Sequence, residues 1–214
     1  MVSILEVYNL FPGSWLSNCY VLIADGNDGK RHAAAIDPST SAVRILEHVL
    51  QNSAKLDYIV MTHGHFDHIM ALDTLRNISG APALIHEDDA EMLTDGDKNA
   101  HSVFFGQDKT FRPAEHTLRH GDKLTLGCEE LEVIGAPGHT KGSICLYNRK
   151  DKFMLTGDTI FADSYGRFDL YGGDKCALVN TLTSLHRYDR NITIYPGHGD
   201  SELLGNALDN IYNR

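Results

Sequence analysis

Two rhythms of apolar and polar positions run along the chain. Short apolar runs bounded by turn residues predict strands over 3–8, 19–24 and 32–36, joined by turn material at Phe11-Pro12-Gly13 and Asp25-Gly26-Asn27-Asp28-Gly29. Val43, Leu46, Val49 and Leu50 then recur at helical spacing, with Ser39 or Thr40 as the cap. A buried-strand run follows at 56–61. Ile69, Leu72, Leu75 and Ile78 next mark one face of a helix, and 82–86 reads as another strand. From Asp95 to His116 the pattern is polar and irregular, too long for a simple connection and of the kind that carries function when ordered. Strands are predicted again over 123–126, 131–136, 143–147 and 152–155. A Gly-rich segment, a helix over 177–185, a strand over 192–195 and a last helix near 203–211 complete the pattern. Helix and strand signals alternate at both ends with hairpin-like strands between them. This predicts a layered α/β domain with mixed sheets, and without a repeat or linker the expectation is one domain over 1–214.

Composition narrows the function classes. The apolar share of 42% supplies an ordinary core, and no apolar run approaches the roughly 20 residues that cross a bilayer. The first residues, Met1-Val2-Ser3-Ile4-Leu5-Glu6, show no basic leader before a long apolar stretch, so no cleaved signal is expected. Cys19, Cys128, Cys145 and Cys176 are widely spaced and form no CxxC, which favours free thiols in a reducing cytoplasm. The formal charge of −10, with no basic run, argues against a nucleic-acid partner. The expected partner is a small molecule, and the oligomeric state is open.

The candidate chemistry is concentrated in Thr62-His63-Gly64-His65-Phe66-Asp67-His68, directly after a predicted strand. Four metal-capable side chains fall within six residues. Where such a turn leaves a strand and enters a helix, His63 and His65 can share one metal while Asp67 and His68 swing towards a second. Imidazole and carboxylate suit zinc, iron or manganese. A chance His-rich turn is the bland alternative. Three later positions tell against it: His139 in Ala136-Pro137-Gly138-His139-Thr140, Asp158 in Thr156-Gly157-Asp158-Thr159, and His198 in Pro196-Gly197-His198-Gly199. Each is a ligand-type residue beside glycine just past a predicted strand, where the backbone can turn tightly into a cleft.

In this order, these residues resemble the metallo-β-lactamase superfamily, and more narrowly its glyoxalase II-like hydrolases. The resemblance runs from Asp37 in Ile36-Asp37-Pro38 to His198. It implies an αββα sandwich with the site at one edge of two mixed sheets. It also implies two divalent ions, zinc before iron or manganese: His63, His65 and His139 on the first, Asp67, His68 and His198 on the second, and Asp158 bridging. Asp37 would orient a ligand histidine by accepting its other ring N–H, and Asp67 would also orient the attacking hydroxide. The stretch Gly166-Arg167-Phe168-Asp169-Leu170-Tyr171-Gly172-Gly173-Asp174 resembles the Gly-Arg-x-Asp-x-x-Gly-Gly-Asp of short bacterial members. Sixteen residues follow His198. The implied form therefore lacks the C-terminal helical region that holds glutathione in full-length relatives.

The implied reaction is thioester hydrolysis. A hydroxide held between two cations roughly 3.5–4 Å apart attacks the acyl carbon, and the thiolate leaves with little help from an acid. Lys141, Arg167, Tyr165 and Tyr171 are candidate pocket residues. For Arg167 an ion pair with Asp169 and an anion-binding role both remain open. Of the seven histidines outside the motif (His32, His48, His86, His101, His116, His120 and His186), His101 and His116 lie in or at the end of the irregular segment and could approach a substrate. The main rival is a mononuclear iron oxygenase resembling the persulfide dioxygenases, with His63, His139 and Asp158 as its triad. Other ester, lactone, β-lactam or phosphodiester hydrolases and a non-catalytic metal centre rank below it.

Overall fold

The computed structural model describes residues 5–10 and 16–212. The expected turn at 11–13 and the opening residues of the first expected strand lie outside them. Twelve strands form two six-stranded sheets among the described residues. The first contains β1 (Glu6–Asn9), β2 (Tyr20–Asp25), β3 (Arg31–Ile36), β4 (Ala54–Val60), β5 (Ala83–His86) and β6 (His116–Leu118), in that spatial order. The second runs in reverse order from β12 (Glu202–Leu203) through β11 (Thr193–Pro196), β10 (Phe153–Gly157), β9 (Ile144–Asn148) and β8 (Glu129–Gly135) to β7 (Lys123–Leu126). The helices are α1 (Ala42–Gln51), α2 (Phe66–Ile69), α3 (Leu72–Ser79), α4 (His101–Phe105), α5 (Lys175–Leu185) and α6 (Leu204–Tyr212), with a 3₁₀ helix at Glu87–Thr94.

Strand alternation explains the layers, because successive side chains face opposite sides of a sheet. In β2, Val21 and Ile23 join a cluster with Ile45, Val49, Leu72 and Leu75 of α1 and α3. Their neighbours Tyr20, Leu22 and Ala24 face the other way, into a layer shared with Leu131, Val133, Ile144 and Leu146 of the second sheet. That sheet's outer residues, Cys145, Tyr147 and Met154, pack with Leu178, Leu182 and Leu208 of α5 and α6. Three apolar layers separate four structural ones, giving the αββα sandwich expected from the sequence.

The departures from expectation have local causes. Ser41, not Ser39 or Thr40, caps α1, its hydroxyl accepting from Arg44 N–H. The buried face of α1 is Ala42, Ile45 and Val49, whereas Val43 and Leu50 are exposed. The expected helix through Ile69 and Ile78 is broken into α2 and α3, and Ile78 faces solvent. The irregular segment contains α4 and ends in the edge strand β6. No helix among the described residues is long and apolar enough to cross a membrane, and all four cysteines are free thiols.

Parallel pairing of β3 with β4, and of β10 with β11, brings their C-terminal ends to one edge. β8 shares the direction of β10 because both are antiparallel to β9. Backbone bonds lace the two sheets at this edge: Ile144 N–H donates to Thr62 O at 2.9 Å and Asn18 N–H to Gly197 O at 2.6 Å. The Tyr20 hydroxyl adds a bond to Pro196 O at 2.8 Å. The central layer therefore holds the edge together from below. Leu22→Ala, which empties a fully buried position in that layer, is expected to cost about 2–5 kcal/mol in urea unfolding of chelator-treated protein.

Candidate metal centre

Four loops at this edge carry the seven ligand-type residues, and a fifth carries Asp37. The turn after β4 supplies His63, His65, Asp67 and His68, with α2 beginning at Phe66. His139 follows β8, Asp158 follows β10 and His198 follows β11, while Asp37 follows β3. Potential ligand atoms fall in three groups, each within 4.8 Å: His63, His65 and His139; His63, His68 and Asp158; Asp67, His68 and His198. Asp158 spans them, with Oδ1 3.2 Å from His68 Nε2 and Oδ2 3.6 Å from the Nε2 atoms of both His139 and His198. His198 Nε2 lies 3.2 Å from Asp67 Oδ2.

Hydrogen bonds settle which ring nitrogens face the centre. His139 Nδ1 donates to Arg167 O at 2.7 Å, which leaves its Nε2 bare. That atom is met by His65 Nδ1 at 2.8 Å and His63 Nε2 at 3.2 Å. His68 Nδ1 donates to Asp37 Oδ2 at 2.9 Å. The same carboxylate accepts from Thr62 N–H and from the Thr62 hydroxyl, both at 2.7 Å, so three bonds fix it. Asp37 makes these bonds from a left-handed backbone, φ 50°.

The donor set fits divalent cations on an observation independent of the motif. His68 Nε2 and Asp158 Oδ1 are buried and close, yet neither has an aligned hydrogen-bond partner. Burying such atoms unpaired is costly, and a cation between them meets both. Ionisation agrees. Burial, reinforced by the neighbouring imidazoles, holds His63 well below its ordinary value and pushes His65 down to about 3, so both are neutral. Burial works against charge on Asp67 and Asp158, but the facing histidines outweigh it and keep both carboxylates ionised. Burial likewise opposes charging His68, and there the carboxylates of Asp158, Asp37 and Asp67 prevail and raise it. Neutral imidazole and ionised carboxylate are the states that bind metal, so a cation at His68 would displace the proton that these carboxylates hold there.

Two glycines are required by close approach. At Gly157 the backbone is left-handed, φ 47°, and a Cβ would lie 2.4 Å from Thr62 Oγ1. At Gly197 a Cβ would lie 2.2 Å from Asp158 Oδ1 and 2.6 Å from His68 Cε1.

The cleft above this floor, about 380 Å³, is walled by Phe66, Ala100, Phe104, Phe105, Leu170 and Arg167. Of the four candidate pocket residues, Arg167 lines it, held by Asp169 through Nε and Nη2 at 2.7 and 2.8 Å. Tyr165 lines a separate apolar cavity beside α5 and α6. Lys141 pairs with Asp88 at 2.6 Å, and the Tyr171 hydroxyl donates to Glu91. His101 meets the Phe66 ring edge to face, lies tilted against the Phe105 ring and bonds Gln107 O. His116 opens β6, at the end of the parallel strands remote from the cleft.

Sequence reasoning missed Asp89. This buried carboxylate accepts from Gly64 N–H at 3.1 Å, Gly142 N–H at 2.7 Å and the Thr140 hydroxyl at 2.6 Å. It thereby ties the turn carrying His63 and His65 to the loop carrying His139. Burial pushes its pKa up against the pull of these bonds.

Comparison with known proteins converges on one family. The Metallo-beta-lactamase superfamily matches residues 12–198. The chain is 30% identical over 187 residues to the probable metallo-hydrolase YqgX of Bacillus subtilis, spanning 86% of this chain and 85% of that one. It is 37% identical over 190 residues to the probable metallo-hydrolase MJ0888 of Methanocaldococcus jannaschii, spanning 86% and 88%. Among solved structures, BLEG-1 B3 metallo-beta-lactamase superposes with a TM-score of 0.84 at 31% identity, covering 96% and 97% of the two chains. TTHA1623, solved in a di-iron-bound form, superposes at 0.78 with 25% identity, covering 97% and 100%.

Asp89→Asn keeps the shape but faces an amide N–H₂ towards donors. It is expected to weaken metal binding about 10–100-fold in chelator competition. Unfolding of the metal-free protein should shift by about 1–3 kcal/mol.

Proposed function

The chain belongs to the metallo-β-lactamase superfamily, and on that premise we propose that it is a two-metal hydrolase of thioesters, of the glyoxalase II-like kind. His63, His65 and His139 would hold one ion, Asp67, His68 and His198 the other, and Asp158 both. Two divalent ions supply Lewis acidity towards a carbonyl oxygen and a water acidic enough to act as nucleophile near neutral pH.

The composition of the cleft carries the thioester reading. Among the described residues lining it, every group able to carry a titrating proton is also one that a metal would hold; the remainder are Phe66, Ala100, Phe104, Phe105, Leu170 and Arg167. No side chain is left over to protonate a departing group. The bond that suits such a cleft is one whose leaving group departs as an anion, and a thiol of pKa about 8.5 does so far more readily than an amine or an alcohol.

The chain's own residues supply the remaining steps. Asp67, ionised and partly open to the cleft, would accept a hydrogen bond from the attacking water and orient it towards the acyl carbon. Asp37 and Arg167 O hold the rings of His68 and His139 with their bare nitrogens inward. The αββα edge keeps both sets of loops in register as charge moves to the acyl oxygen.

A second reading concerns the metal. The di-iron form of TTHA1623 supports iron as an occupant of such a pair. A single iron on His63, His139 and Asp158 would instead suit oxygenation of a persulfide. Stoichiometry separates these readings where metal identity does not.

Protein purified without chelators is expected to carry about two divalent ions per chain by mass spectrometry. It should hydrolyse acyl thioesters, S-lactoylglutathione included, in preference to nitrocefin and bis(p-nitrophenyl) phosphate. Asp158→Asn should lower both metal content and kcat, the latter by at least about 100-fold. Two ions without thioester turnover would sink the substrate assignment. One iron with oxygen uptake on a persulfide would replace the hydrolase altogether.

A further inference from the structure

The metal cleft has two unlike halves. Its floor is the ligand set, and its wall is apolar and comes largely from the segment whose sequence shows no periodicity. Helix α4 buries no residue, and Phe104 and Phe105 remain 52% and 49% exposed while lining the cleft. Adjacent exposed aromatic rings at a cleft mouth mark a ligand surface rather than a core. The two rings stand on Phe66, at centroid distances of 5.6 and 5.4 Å. Phe66 lies between His65 and Asp67, so the wall is positioned by the same turn as the floor. Across the cleft, Leu170 and the Arg167 guanidinium face it, the latter 5.8 Å from the Phe104 ring.

Charge limits what this wall accepts. Arg167 is the one cation among the described lining residues, and Asp169 already engages it through two bonds. Lys98 and Lys141, in neighbouring segments, are paired with Glu91 and Asp88. A substrate half bearing several carboxylates finds no spare cation here. An uncharged apolar group finds three aromatic rings and a leucine.

We propose that Phe104 and Phe105 are specificity-determining residues, and that they hold an uncharged apolar group of about phenyl size on one side of the scissile bond. The bond cut is taken from the thioesterase reading; the group bound is not. The wall enters and leaves α4 through left-handed residues, Ala100 at φ 69° and Gly106 at φ 65°. Ala100 is itself buried and part of the lining. A non-glycine residue held there is a strain of the sort found at ligand clamps.

The test uses metal-loaded full-length protein and two pairs of probes. Binding is read by calorimetry with S-benzyl- and S-(2-hydroxypropyl)-N-acetylcysteamine, thioethers that cannot be hydrolysed. Turnover is read with S-phenylacetyl- and S-lactoyl-N-acetylcysteamine. Wild type is expected to favour the aromatic member of each pair about tenfold or more. The ratio should fall towards unity in Phe104→Ala/Phe105→Ala and stay partial in Phe104→Leu. Because each ratio is taken within one protein, differences in folding or metal loading cancel. Equal binding of the two thioethers by wild type, or a preference that survives the double substitution, overturns the proposal. So does a double variant that changes oligomeric state while keeping the ligand ratio, since the wall would then be a protein interface. Selective thioether binding without thioester turnover leaves the wall standing and removes the thioesterase reading instead.

Discussion

Everything at this edge depends on one electrostatic problem: imidazole nitrogens and carboxylate oxygens with bare lone pairs are packed together where water is nearly excluded. Such an arrangement is unfavourable by itself, because each group loses its hydration and faces others of like polarity. His139 shows how close the groups are, since its Nδ1 donates to Arg167 O and its Nε2 lies within 3.2 Å of ring nitrogens from both His65 and His63. A cation would take up the ring nitrogens and carboxylate oxygens together as ligands. The fold must therefore hold the groups in place before the cation arrives, and the rest of the architecture can be read as that restraint.

The restraint has two levels. At the level of the sheets, parallel crossovers gather strand ends at one edge, and bonds such as Ile144 N–H to Thr62 O join one sheet to the other. At the level of side chains, two buried carboxylates act as staples without being ligands. Asp37 binds Thr62 and His68, while Asp89 joins Gly64 to Thr140 and Gly142. Hydrogen bonds to charged acceptors are stronger than those between neutral groups, and these two sit where the loops would otherwise separate. Removing either frees a loop carrying several ligands, so its effect should exceed that of one lost bond.

The ligand set was legible because its chemistry is compact: four ligand types within six residues, then glycine-flanked positions after strands. Asp37 and Asp89 contrast instructively. Asp37 was found through resemblance alone, and Asp89 was missed because its partners lie 25 and more than 50 residues away and two of them are backbone N–H groups. Helix α1 was placed correctly and its face in part: Val49 is buried and Leu46 packs against the core, whereas Val43 and Leu50 are exposed. Ala42 and Ile45 complete the buried face, and the larger side chains of Val43 and Leu50 drew the expectation away from small Ala42. Strand β6 gave little signal because only Leu118 of its three residues is buried. Helix α4 escaped for a more telling reason. Its apolar side chains have no core to face, so no helical periodicity was selected; the feature that hid the element from pattern reading is the one that lines the cleft.

Charge joins these levels. In the metal-free floor the ionised carboxylates of Asp67 and Asp158 stand against a charged His68, whose proton they and Asp37 hold in place. Two divalent ions, held as proposed, would displace that proton and leave a positive excess at the place where an acyl oxygen gains negative charge. That excess acts on charge developing during reaction, and so contributes to the transition state more than to ground-state binding. Ground-state affinity must then come from elsewhere. An aromatic wall set on Phe66 supplies it without charge, and so does not compete with the metals for the same carboxylates. Division of labour between a charged floor and an apolar wall follows from the composition of the cleft, and the one arginine among the described lining residues fits it, being engaged by its neighbour Asp169.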